Sequence, residues 1–289
     1  MDLLQKLNDP VIPPGYELWL LRLDRVHPCV GGNKWFKLKY NLEEARRQNK
    51  TSLLTLGGAF SNHIAAVAAA GKEQGFHTIG LIRGEAVLPL NKTLAFARSC
   101  GMELHFISRE RFRQRDSEEF ITELKSRFPF AYFIPMGGSN YEGFKGCVEI
   151  PSLISIPFDH ICCPCGTGTT LAGLVLGLRE GQQAKGFSAM KGGDFLEKDI
   201  AHSLQHYSGS SHGDRWQVET AYHFGGFGRK NAELLAFARR FRECNQVDLD
   251  YVYTSKMMFG IYDKLKKGHF PAGARIVAVH TGGLQGNPD

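Results

Sequence analysis

Short apolar runs that end in glycine or a polar residue alternate along this chain with segments whose apolar residues recur at helical spacing. "TSLLTLGG" (51–58), "HTIGLIRG" (77–84), "ELHFIS" (103–108) and "AYFIPMGG" (131–138) read as strands. Between them, "SNHIAAVAAAGKEQG" (61–75), "LNKTLAFARSCG" (90–101) and "SEEFITELKSRF" (117–128) read as helices. Such alternation implies right-handed crossovers and a parallel sheet covered on both faces. After residue 150 the pattern restarts, with "FDHICCPCG" and "AKGFSAM" as strands around the helix "TLAGLVLGLREG". Helices in "KNAELLAFARRFRECN" and "GIYDKLKKGHF" and a last buried strand in "ARIVAVHTGG" follow a polar, glycine-rich stretch, 191–228, that has no clear period. The expected class is therefore α/β, with two open twisted parallel-sheet domains and a ligand cleft at the C-terminal ends of their strands.

The net charge of +6 is spread along all 289 residues, so a nucleic-acid stripe is not expected. Its densest stretch, "RERFRQRDSEEF" (109–120), changes sign halfway and reads as a solvated helix face. The cysteines, seven in number, sit mostly in apolar company, and no charged-then-apolar leader opens the chain, which points to a reducing, cytoplasmic setting. "CCPC" (162–165) has the wrong spacing for a zinc knuckle and reads as buried strand-end cysteines, so no metal is expected. No apolar run approaches the ~20 residues of a membrane span.

Candidate chemistry falls at strand ends and helix starts. "CGTGTTLAG" (165–173) is a glycine and threonine turn between a strand and a helix, where backbone N–H groups and a helix N-terminus would cup one phosphate monoester. It lacks the lysine of a nucleoside-triphosphate loop and the glycine spacing of a dinucleotide fold. In "GGAFSNH" (57–63), Ser61, Asn62 and His63 open a helix, which suits either a cap or a carboxylate clamp. "VHTGG" (279–283) ends a buried strand in a hydroxyl, and "YVYTSKMMFG" (251–260) sets Tyr253 and Thr254 before a helix. In "VGGNKWFKLKYNL" (30–42), Lys34 follows two glycines and an asparagine, with Lys37 and Lys39 as surface charges on the helix that begins there. A reactive lysine, a phosphate cup and polar groups for a ring are what pyridoxal 5′-phosphate needs.

Taken in order, "GGNKWFKL", "GGAFSNH", "CGTGTTLAG", "VYTSK" and "HTGG" resemble the 1-aminocyclopropane-1-carboxylate deaminase and D-cysteine desulfhydrase family, in the tryptophan synthase β-subunit superfamily. The resemblance implies fold type II, with the cofactor in the cleft between the domains. Residues 1–44 plus 146–289 are expected to form a large cofactor-binding domain and 45–145 a small one. Carried over by position, Lys34 matches the Schiff-base lysine and Asn62 the partner of the ring hydroxyl. Gly166, Thr167, Gly168, Thr169 and Thr170 match the phosphate loop, and Thr281 the residue facing the pyridine nitrogen in the desulfhydrase branch. Ser61 and His63 match the segment that receives the substrate carboxylate, with Asn62 between them and Ser61 near the reacting carbons. Tyr253 matches a catalytic tyrosine. Phe227 in "HFGGFGRKN" stands where both branches carry tyrosine, and Thr254 where the deaminase branch carries an acid. Phe60, Ile64 and Ala65 also depart from the family pattern.

The resemblance implies a pyridoxal-phosphate-dependent deaminase or desulfhydrase, of the lyase or hydrolase class, acting on a small amino acid. A D-cysteine desulfhydrase-like β-elimination to a keto acid and ammonia leads. Opening of a cyclopropane ring and a cofactor-binding protein with weak turnover are the alternatives. A nucleotide- or sugar-phosphate enzyme that leaves Lys34 as surface charge is a third reading. A homodimer is expected, with no nucleic-acid or membrane partner.

Overall fold

A computed structural model of the chain describes residues 3–287. The chain opens with β1 (Leu4–Lys6), β2 (Glu17–Arg22) and α1 (Asn33–Arg47). Next come β3 (Ser52–Gly58), α2 (Asn62–Gln74), β4 (His77–Arg83), α3 (Lys92–Ser99), β5 (Glu103–Ile107), α4 (Arg109–Arg113), α5 (Glu118–Arg127) and β6 (Ala131–Ile134). After α6 (Tyr141–Val148) run β7 (His160–Cys165), α7 (Thr169–Gly177), β8 (Gln183–Ser188), α8 (Phe195–Ser208) and β9 (Trp216–Glu219). The last elements are α9 (Ala232–Asn245), α10 (Thr254–Lys266) and β10 (Arg275–His280).

Two sheets result. One has the order β1-β2-β10-β7-β8-β9 and the other β5-β4-β3-β6. Every pairing is parallel except that of β1 with β2, which is antiparallel. The sheets are thus the expected α/β type, while β1 and β2 were not anticipated. β1 is three residues long and too polar to show a period, and β2 lies before the alternation begins. The stretch 191–228, left without a period, holds α8 and the edge strand β9.

Alternation along each strand sends side chains into two cores. In β10, Val277 and Val279 pack on one face with Ile161 and Leu171, and Ile276 and Ala278 on the other with Phe187 and Met257. In β3, Leu53 joins Val67 and Ile82 on one face, while Leu54 and Leu56 join Phe112 and Phe120 on the other. Cys162, Cys163 and Cys165 are buried in β7, free and packed as small apolar groups. This layering leaves the polar strand ends as the place where function can sit.

Candidate active site

A cavity of about 670 Å³ lies where the C-terminal ends of β3 and β7 meet the start of α1. At the end of β7, Gly166, Thr167, Gly168 and Thr170 line it. Gly168 is in the left-handed region, at φ 77°, and α7 begins immediately after it. Among the described residues, no protein acceptor takes the backbone N–H groups of Gly166 through Thr170. Successive donors without an acceptor and a helix N-terminus form an anion cup that the described residues do not fill. Thr169 is the exception on the list of expected residues. Its hydroxyl turns inward, 2.8 Å from Ser139 Oγ and 3.1 Å from Thr167 Oγ1, and does not line the cavity.

The start of α1 supplies Lys34. Its Nζ donates to Asn33 Oδ1 at 3.1 Å, and Asn33 Nδ2 donates to Thr170 Oγ1 at 2.8 Å, a bonded path from the lysine to the phosphate turn. Burial, with the nearby Lys37 cation second, pushes the Lys34 ammonium down to about 7. Gly32 precedes it at φ 72°, where an added Cβ would lie 1.8 Å from the Thr281 carbonyl oxygen. This glycine therefore admits the backbone that carries Thr281, whereas Gly31 meets nothing closer than 3.6 Å.

Lys37 is not the surface charge expected. It is buried on the cavity wall and donates to the Gly137 carbonyl at 2.9 Å, and burial holds its ammonium below the usual lysine range. Lys39, by contrast, is half-exposed and pairs with Glu149 at 2.8 Å. The signal that could have separated them is helical position. Lys37 shares the inward stripe of α1 with Asn33 and Asn41, one turn either side.

At the end of β3, Ser61 caps α2 by accepting the Ile64 N–H at 3.3 Å. Among the described residues the N–H groups of Asn62 and His63 have no protein acceptor, so a carboxylate can be received there as well as a cap. Asn62 Oδ1 accepts from Gln285 Nε2 at 2.7 Å, which fixes the amide beside Gly283 and the β10 end. His63 is buried. Thr55 Oγ1 gives its proton to the Ile134 carbonyl at 2.8 Å, so the 3.0 Å contact to His63 Nε2 must be an imidazole N–H donating to that hydroxyl. Nδ1 is then a bare, buried acceptor with no partner. Burial first, then the charges of Lys34 and Lys37, hold the ring neutral.

Tyr253 and Thr281 line the same cavity, as does Phe227, whose ring meets Tyr253 edge-on at 5.7 Å. An added Cβ at Gly166 would sit 3.1 Å from the Tyr253 oxygen, so the absence of a side chain there lets the phenol reach the anion cup. Burial raises the Tyr253 phenol above its ordinary value, which keeps it protonated near neutrality. Its backbone is fixed by Asp250, a residue the motifs did not reveal. That buried carboxylate accepts the N–H groups of Val252, Tyr253 and Thr254 at 2.8–3.0 Å. Thr254 also gives Asp250 its hydroxyl and faces away from the cavity. Phe60, Ile64 and Ala65 divide: Phe60 is exposed at the cavity mouth, while Ile64 and Ala65 are buried in α2.

A family model described as pyridoxal-phosphate dependent enzyme matches residues 5–282. A bifunctional D-cysteine desulfhydrase/1-aminocyclopropane-1-carboxylate deaminase of Arabidopsis thaliana is 29% identical, over 98% of this chain and 76% of its own length. A D-cysteine desulfhydrase of Klebsiella pneumoniae is 29% identical, over 98% of this chain and 90% of its own. A crystal structure of an ACC deaminase homologue superposes with a TM-score of 0.83 at 28% identity, covering 98% of this chain and 89% of that one.

Proposed function

Since this chain belongs to the pyridoxal-phosphate dependent enzymes, we propose that it is a lyase or deaminase of D-cysteine desulfhydrase type, releasing a keto acid and ammonia from a small amino acid. The reading that leaves Lys34 as surface charge on a nucleotide enzyme falls with that membership and with the lysine's burial. The observation that carries the proposal is the pairing, in one cavity, of Lys34 with an anion cup that takes no acceptor among the described residues.

The residues present fit the cofactor. Gly166 to Thr170 would take the phosphate on backbone N–H groups, with buried Lys37 as a further cation on that wall. Thr169 serves through its bond to Thr167 rather than by facing the ligand. Lys34 would bond the aldehyde carbon, Asn62 would meet the ring hydroxyl, and Thr281 would face the ring nitrogen. When bound, the cofactor supplies an electron sink for charge that develops on the substrate α-carbon. A hydroxyl at the ring nitrogen keeps that sink mild, which suits elimination.

The substrate carboxylate docks on the free N–H groups at the start of α2, beside Ser61 and His63. Lys34, freed by the incoming amine, takes the α-proton. Tyr253, protonated through its burial, stands as the acid for the departing β-group, and Phe227 closes that end without a hydroxyl. For cysteine the balance is one water in, and pyruvate, ammonia and hydrogen sulfide out. Thr254 points to Asp250 and supplies no acid to the cavity, which favours elimination over cyclopropane opening. The cofactor cleft is read as lying between a large domain (1–44 plus 146–289) and a small one (45–145). A homodimer in a reducing, cytoplasmic compartment completes the proposal, in keeping with seven free cysteines.

The test is a panel of D- and L-amino acids with the holoenzyme, scored by keto-acid release and by absorbance change. D-cysteine should lead, and Lys34→Ala should abolish both colour and turnover. Binding with no keto acid from any substrate would leave a cofactor-binding protein in place of the enzyme.

A further inference from the structure

The outer wall of the cavity carries arginines that this chemistry does not use. Arg83, Arg109, Arg113 and Arg115 all line it, together with Phe112. The register explains how they come together: Gly58 of β3 pairs with Arg83 of β4, and Arg83 with Ile107 of β5. Neighbouring strands lie ~4.8 Å apart. A row therefore runs along the C-terminal edge of this sheet, from the strand that leads into the α2 start, through Arg83, to the helix α4 that bears Arg109 and Arg113.

Among the described residues, three of these four cations have no ion-pair partner. Among the described residues no carboxylate lies within ion-pairing distance of Arg83, Arg109 or Arg113, Glu85 and Glu110 included. Arg115 meets Asp116 at 3.2 Å, but its Nε is buried and has no partner. Arg111 shows the contrast. It is half-buried, pairs with Glu123, stacks on Phe120 and stays outside the cavity, whereas Arg83, Arg109 and Arg113 are exposed at its rim. The guanidinium groups of Arg83 and Arg115 lie 5.9 and 5.5 Å from the centroid of the buried Phe112 ring, which gathers both at one side chain. Arg109 and Arg113 are four residues apart on one helix face, where like charges repel. Unpaired forks held together against repulsion at a cleft mouth favour an oxyanion.

We propose that this wall is a second anion subsite, and that the substrate is an α-amino acid whose β-substituent is or ends in an oxyanion. It rests on the elimination proposed above, and it names the class of leaving group. With a phosphate ester of serine, Lys34 takes the α-proton and the C–H electron pair forms the Cα–Cβ double bond. The Cβ–O bond breaks and phosphate departs with the Cβ–O electron pair into the arginine row. One water entering and ammonia leaving complete the sum: phosphoserine and water give pyruvate, ammonia and phosphate, with no redox partner.

The test compares matched serine esters in both configurations with the holoenzyme: phosphate, sulfate and succinate esters against the neutral acetate ester. An anionic ester should exceed the acetate ester at least tenfold in kcat/KM. That ratio should fall at least tenfold in Arg83→Gln and in the double variant Arg109→Gln/Arg113→Gln, with the change in KM. Preference for one anion names the source, and equal ratios in wild type and variants would overturn the subsite. If no amino acid at all is turned over, the elimination fails, and the subsite is judged by binding alone. Phosphoserine shifting the cofactor absorbance at a tenfold lower concentration than serine would uphold it, and equal affinities would overturn it.

Discussion

Lys34 and Lys37 share one buried wall, and each raises the free energy of the other's charged form. Only the neutral amine of Lys34 can attack an aldehyde. With its ammonium pushed down to about 7, cofactor uptake by the unloaded protein should rise with pH to a half-maximum near pH 7 and fall about tenfold per unit below it. Lys37→Met removes the second cation and should move that midpoint upward, as stopped-flow absorbance would record. A wild-type midpoint near 10.5 would refute the burial argument. Gly32→Ala should be severe for a different reason. Its φ of 72° and the 1.8 Å approach to Thr281 force the backbone to move, at about 1–3 kcal/mol, with a lower melting temperature and weaker cofactor retention. Lys34, Asn62 and Thr281 were legible because each stands at a strand end or helix start beside glycine. Lys37 showed only its inward helical position, not its partner, since the carbonyl it serves, Gly137, lies 100 residues along the chain.

Helix starts carry two duties here, and substitution can separate them. Ser61→Ala should cost about 1 kcal/mol of stability through the lost α2 cap. Ser61→Asp keeps a capping oxygen and should melt near the wild type, yet its charge repels a substrate carboxylate and should raise KM at least tenfold. Equal losses of activity and stability in both variants would reduce Ser61 to a cap. At α10, Asp250→Ala leaves three N–H groups, one buried and two partly buried, without an acceptor, and should cost about 1–3 kcal/mol while releasing Tyr253. Thermal melts with a cofactor-absorbance readout measure both effects. The starts of α2 and α7 could be read from a glycine-ended strand followed by small polar residues. Helix α4 could be read as a helix but not as a wall of the cavity, because that depends on the β3–β4–β5 register.

At the scale of the molecule, the cavity is lined by the ends of β3 in one sheet and β7 in the other, so ligand binding should stabilise both sheets together. Pyridoxal phosphate at a hundred times its dissociation constant should add about 2.7 kcal/mol. Pyridoxal, lacking the phosphate, should raise the melting temperature less at equal concentration, and an identical rise would argue against the cup. The two-sheet plan was legible from the alternation of elements, but the strand order was not, because it depends on contacts far apart in sequence. That order has a consequence for synthesis. β10 lies between β2 and β7 at the middle of its sheet, yet it follows all the other described strands in the chain. Until it is made, both neighbours present open edges and Gly32 lacks the Thr281 backbone against which it packs. On the ribosome, then, Lys34 and the phosphate turn emerge long before they can grip a cofactor. The appearance of yellow colour should mark the moment β10 slides home, making the cofactor a reporter of completed folding as well as an instrument of chemistry.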